Sequence, residues 1–159
     1  MTLTAFHVTA IRAAHLTQVR ATGLDVSNNP VVTLDDMPDE PLRCCLRNSR
    51  PGERLILFGY APPITGTPSP YREVGAVLAH ADPCDATPTR DTYPAEWIGR
   101  PQVLRAYDHR GWIHPATTMH DGSDPEAALR SVLATPGVIE VHSRSVTFGC
   151  FMFVATANR

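Results

Sequence analysis

Apolar and polar positions alternate with a strand-like period through most of the chain and take a helical period in one clear place. Thr4 to Ile11 alternates loosely and predicts a strand, and Arg12 to Ala21 a short, weakly periodic helix. Val31 to Leu34 is a short β-branched run. Leu42 to Leu46 and Arg54 to Tyr60 flank a polar connection with Pro51-Gly52, which predicts a hairpin. Leu55-Ile56-Leu57-Phe58 is apolar at every position, so this strand is expected to be covered on both faces.

Ala61 to Pro70 carries four prolines and predicts a long loop, and Val74 to Ala79 predicts a strand. Ala81 to Arg100 is a second polar excursion. Val103 to Tyr107 and Trp112 to Thr118 read as strands joined through Asp108-His109-Arg110-Gly111, a second hairpin signal. Ser123-Asp124-Pro125-Glu126 is the strongest helix start: a cap, a proline in the first turn and a possible capping box. The helix ends at Pro136-Gly137. Val138 to Ser145 and Gly149 to Ala155 are the last strands. The expected fold is α+β: one domain over residues 1–159, with an antiparallel or mixed β-sheet and one or two helices.

Composition supports this reading. The chain has 159 residues, 43% of them hydrophobic and 19% charged, which suits a packed core and argues against disorder. Net charge is −2, so no basic excess points to nucleic acid or an acidic membrane surface. No apolar run approaches the roughly 20 residues of a membrane span. No signal peptide is evident, and the four cysteines read as reduced thiols, which predicts a cytoplasmic protein.

All 14 basic residues are arginine. Without lysine there is no Schiff-base chemistry, no lysine-bound pyridoxal cofactor and no P-loop. Any anion must be held by arginine, backbone N–H groups or helix N-termini.

Candidate chemistry concentrates near the C-terminus. On a strand, Glu140, His142 and Arg144 share one face, with neighbours two apart separated by about 6.6 Å. A carboxylate and a guanidinium flanking an imidazole poise it as a general acid or base. A solvated strand face would show the same alternation. Arg105 and Tyr107 share a face of their own strand and form a cationic patch with a phenol, suited to a carboxylate, enolate or phosphate. Cys150 with His142 is a possible nucleophile–base pair.

Cys44 and Cys45 are adjacent and, on a strand, point to opposite sides. A zinc site would therefore need Cys45, Cys84, Cys150 and His142 to converge. His7, His15, His80, His109, His114 and His120 are isolated and read as surface or locally satisfied residues.

The order of short motifs resembles the bacterial domain-of-unknown-function 1203 family. These are Pro41-Leu42-Arg43-Cys44-Cys45-Leu46, Pro51-Gly52-Glu53, Leu55-Ile56-Leu57, Pro70-Tyr71 and Cys84. Arg105-Ala106-Tyr107-Asp108, Gly122, Val141-His142-Ser143-Arg144-Ser145-Val146 and Gly149-Cys150-Phe151 follow. The resemblance spans about residues 41–155, with 1–40 outside it. Leu42 stands where the family pattern has a cysteine, and Ser145 where it has an asparagine. The resemblance implies no activity, but it adds Arg43 and Tyr71 to the candidate residues.

The leading expectation is a small protein that binds an anionic organic molecule, with no organic cofactor and no metal. Arg105, Arg144, Arg43 and Tyr71 would bind the ligand, and His142 and Tyr107 would supply acid/base chemistry of an isomerase, cyclase, lyase or hydrolase type. The alternatives are a non-catalytic ligand-binding or interaction module, with a homodimer possible, and the zinc domain described above.

Overall fold

The computed structural model describes residues 4–66, 68–84 and 89–158. Its strands are β1 Phe6–Thr9, β2 Val32–Asp35, β3 Pro41–Leu42, β4 Arg47–Asn48, β5 Arg54–Tyr60 and β6 Gly75–His80. Then come β7 Thr89–Arg90, β8 Gln102–Tyr107, β9 Thr118–His120, β10 Glu140–Ser145 and β11 Phe151–Ala157. Two helices, α1 Ala13–Thr22 and α2 Pro125–Ala134, and a short 3-10 turn at Ala95–Trp97 complete the described elements. The α+β expectation holds, but the strands divide into two sheets. One is six-stranded, in the order β7-β1-β11-β10-β8-β9. The other is five-stranded, β2-β5-β6-β3-β4, and mixed because β3 runs parallel to β6.

The six-stranded sheet is covered on both faces. Val8, Leu104, Ala106, Val141, Phe153 and Ala155 point to one side and pack with Leu129, Val132 and Leu133 of α2. Phe151 and Val154 point to the other side. There they join Leu42, Leu55, Phe58, Tyr60, Val77 and Ala79 of the second sheet, and Leu16 and Val19 of α1. β10 lies in the interior of the six-stranded sheet, so its polar face looks between the two sheets and not into solvent.

Helix α2 begins as its sequence predicts. Asp124 is the N-cap, its carboxylate accepts from the backbone N–H of Ala127 at 3.1 Å, and Pro125 occupies the first turn. Helix α1 forms on a weak pattern because Leu16 and Val19, three apart, give it one buried stripe, and Gly23 ends it at φ 65°.

The first predicted hairpin is corrected. The strands either side of Pro51-Gly52 do not pair with each other: β5 pairs with β2 and β6, and β4 with β3. Leu42 to Leu46 is not one strand. After β3 the chain closes an α-turn, with Leu46 N–H donating to the Leu42 carbonyl at 2.9 Å and Leu46 at φ 56°. The second hairpin forms at Asp108–Gly111, with Tyr107 bridging Ile113 and β8 antiparallel to β9, but its second strand is Thr118–His120 rather than Trp112–Thr118. Pro115 removes a ladder donor from the stretch predicted to pair.

Candidate functional site

Strand β10 pairs with β8 so that Glu140 faces Tyr107 and His142 faces Arg105. With one side-chain face shared, the five predicted residues Arg105, Tyr107, Glu140, His142 and Arg144 come together between the sheets. They form two environments.

The inner one is closed. His142 is 1% exposed, with its ring 4.7 Å from Tyr107 and 5.6 Å from Phe151 between centroids. Its Nε2 lies 3.2 Å from Glu140 Oε1. The long loop after β5 reaches in, and Thr65 donates to Glu140 through its N–H at 3.0 Å and its hydroxyl at 2.7 Å. Burial alone would push the Glu140 carboxyl up. The His142 and Thr65 hydrogen bonds outweigh it and hold the group below its ordinary value. Neither His142 nor Tyr107 borders the clefts described below.

The outer environment is open. Arg144 and Arg105 emerge in a cleft of about 400 Å³ bordered by Tyr60, Glu73, Phe148 and Cys150. Glu73 Oε1 bridges both guanidiniums, 2.5 Å from Arg144 Nη2 and 3.0 Å from Arg105 Nη1. The Arg144 side chain is 12% exposed, whereas Glu73 is half exposed. Arg144 Nη1 donates to the Gly149 carbonyl at 2.8 Å. Its Nε is buried and has no hydrogen-bond partner among the described residues.

A second cleft, of about 420 Å³, adjoins the first through Ala76, Phe148 and Cys150, and its other walls include Leu57, Val77, Leu78 and Met152. Phe148 stands 87% exposed at the mouth of both. Arg43 also borders this second cleft, with two of its three nitrogens committed to backbone carbonyls. Nε donates to the Phe151 carbonyl at 2.7 Å and Nη1 to the Pro41 carbonyl at 2.6 Å. Burial lowers its pKa to about 10. Tyr71 is exposed, borders neither cleft, and is tied by its backbone N–H to Ser69.

Cys150 borders both clefts, half-buried, with its N–H on Ser145. His142 contacts Glu140, Tyr107 and Phe151, while Cys150 Sγ lies 4.0 Å from the Phe148 carbonyl, so the described contacts do not pair Cys150 with His142.

The zinc set expected from sequence is also corrected. Cys150 and His142 stand apart from a different cluster: Cys44, Cys45, His80 and Cys84, whose ligand atoms all lie within 4.8 Å of one another. Cys44 and Cys45 sit in the α-turn between β3 and β4, where consecutive side chains do not alternate as they do on a strand. His80 ends β6 and Cys84 follows four residues later. The spacing His80-x-x-x-Cys84 beside the Cys44-Cys45 pair was the available sequence signal. Glu73 left none, because nothing in Tyr71-Arg72-Glu73 shows where that loop folds.

The described residues contain no helix long and apolar enough to cross a membrane. Residues 39–156 match the model of a family described as a protein of unknown function, DUF1203, and the chain belongs to that family. No curated protein and no solved structure matches the chain.

Proposed function

We propose that this DUF1203 protein binds a small organic carboxylate that carries an apolar body. The observation that carries the reading is the Glu73 bridge. One carboxylate oxygen already sits between Arg105 and Arg144, and a ligand's carboxylate would take the same place. Glu73, half exposed, is the group such a ligand would displace. The adjoining apolar cleft, with Phe148 at its mouth, suits the ligand's hydrocarbon part.

The candidate roles narrow accordingly. Arg105 and Arg144 bind the anion, and Cys150 lines the passage between the clefts. His142, Tyr107 and Glu140 form the closed layer behind it and position Arg105 and Arg144 through the shared strand face. The reading is a binding function, with the chemistry of any reaction left to groups in the open cleft.

The test is calorimetric titration of wild type, Glu73→Gln and Arg144→Leu with straight-chain monocarboxylates of increasing length. Affinity is expected to rise with chain length. Glu73→Gln should bind more tightly because the internal competitor is neutral, and Arg144→Leu should lose about tenfold or more. Equal affinities across all three proteins would contradict the proposal.

A further inference from the structure

The Cys44, Cys45, His80 and Cys84 cluster shares no residue with the carboxylate clefts, and the reading above makes no use of it. Its distances can be compared with those of a metal centre. Tetrahedral zinc with Zn–S near 2.3 Å places two sulfurs about 3.8 Å apart, and with Zn–N near 2.0–2.1 Å places a nitrogen about 3.5 Å from each sulfur. Cys44 Sγ and Cys45 Sγ lie 3.8 Å apart, and His80 Nδ1 lies 3.4 Å and 3.8 Å from them. The fourth atom, Cys84 Sγ, is within 4.8 Å of the rest.

The surroundings match the same geometry. His80 Nε2 lies 2.5 Å from Glu53 Oε2, and a proton there leaves the Nδ1 lone pair directed at the thiols. A carboxylate behind a ligating imidazole is the usual support of a zinc-bound histidine. Arg47 holds Glu53 in place through two bonds of 3.0 Å and 2.8 Å. The His80 backbone N–H donates to Cys44 Sγ at 3.3 Å, as it would to a thiolate. A cleft bordered by Arg47, Glu53, His80, Asp82 and Cys84 gives an ion access from solvent.

We propose that these four residues form a structural zinc site of the Cys3His type. Binding releases the three thiol protons to solvent, and His80 enters neutral through Nδ1. With four protein ligands the coordination is closed, so the ion acts as a staple and not as a Lewis acid for substrate. It ties the turn after β3 to the end of β6 and to the segment that follows.

The test begins with metal analysis of protein purified under reducing conditions, where about one zinc per chain is expected. Cobalt(II) added to metal-stripped wild type should give a saturable thiolate-to-cobalt charge-transfer band and the intense visible bands of a tetrahedral ion. Cys84→Ser, at the least buried ligand, should weaken or abolish the band while circular dichroism stays native. Cys150→Ser and Arg144→Leu should keep it, which separates this site from the carboxylate reading. The proposal is overturned if wild type purifies without zinc and cobalt shows only its weak aqueous spectrum. A Cys84→Ser variant that folds and binds cobalt with an unchanged spectrum would remove the proposed ligand set.

Discussion

Glu140 shows at the residue scale how a buried polar cluster is made stable. Its carboxylate accepts from His142 and twice from Thr65, and these bonds set its pKa below the ordinary 4.5 despite burial. A carboxyl whose folded pKa is depressed stabilises the protein above its unfolded pKa, and that contribution is lost as pH falls through the folded value. Unfolding free energy is therefore expected to drop as pH falls below about 4.5. Glu140→Gln should flatten that drop while being less stable at neutral pH, as urea titrations across the pH range would show. Strand alternation was enough to place Glu140, His142 and Arg144 on one face. It gave no sign that the face is divided, with His142 sealed by Tyr107 and Phe151 and Arg144 reaching the cleft. That division depends on a loop residue, Thr65, and on the neighbouring sheet.

Most predicted strands and the capped helix formed where the sequence places them, whereas the choice of strand partners was not readable from it. Helix α2 is specified by its own cap, so Asp124→Ala should cost about 1 kcal/mol in chemical denaturation. The Pro51-Gly52 turn is also local, but which strands it joins is decided by the sheet, and β5 finds β2 and β6 instead. Gly122 illustrates a constraint invisible to pattern. It sits at φ 89°, and a Cβ there would lie 2.5 Å from backbone atoms of Gly99 and Arg100. Gly122→Ala is expected to destabilise by about 2 kcal/mol or more, read as a lowered urea midpoint with unchanged slope. The α-turn at residues 43–46 has the same character: its Cys-Cys pair reads as strand until the Leu46 N–H bond to Leu42 is known.

Across the whole molecule, two sheets share the layer that contains Phe151 and Val154, and Arg43 binds carbonyls on both sides of it. Sheet separation should therefore expose both cores together. Trp97 fluorescence, which reports the α2 side, and far-ultraviolet circular dichroism are expected to give one coincident unfolding transition. Arg43→Met removes one buried and one part-buried hydrogen bond to backbone carbonyls and should lower that transition by about 2 kcal/mol. The same stacking places Glu73, from the loop before β6, against Arg105 and Arg144 of the other sheet, and it creates the apolar cleft beside them. The central claim is that this bridge is a carboxylate site, and the Arg144 Nε–H resonance reports on it most directly. In a ¹⁵N-resolved NMR titration with hexanoate, that resonance is predicted to move saturably as the ligand carboxylate replaces Glu73 on the neighbouring Nη2. An Arg144 Nε–H signal that stays fixed at high hexanoate, in both wild type and Glu73→Gln, would contradict the account.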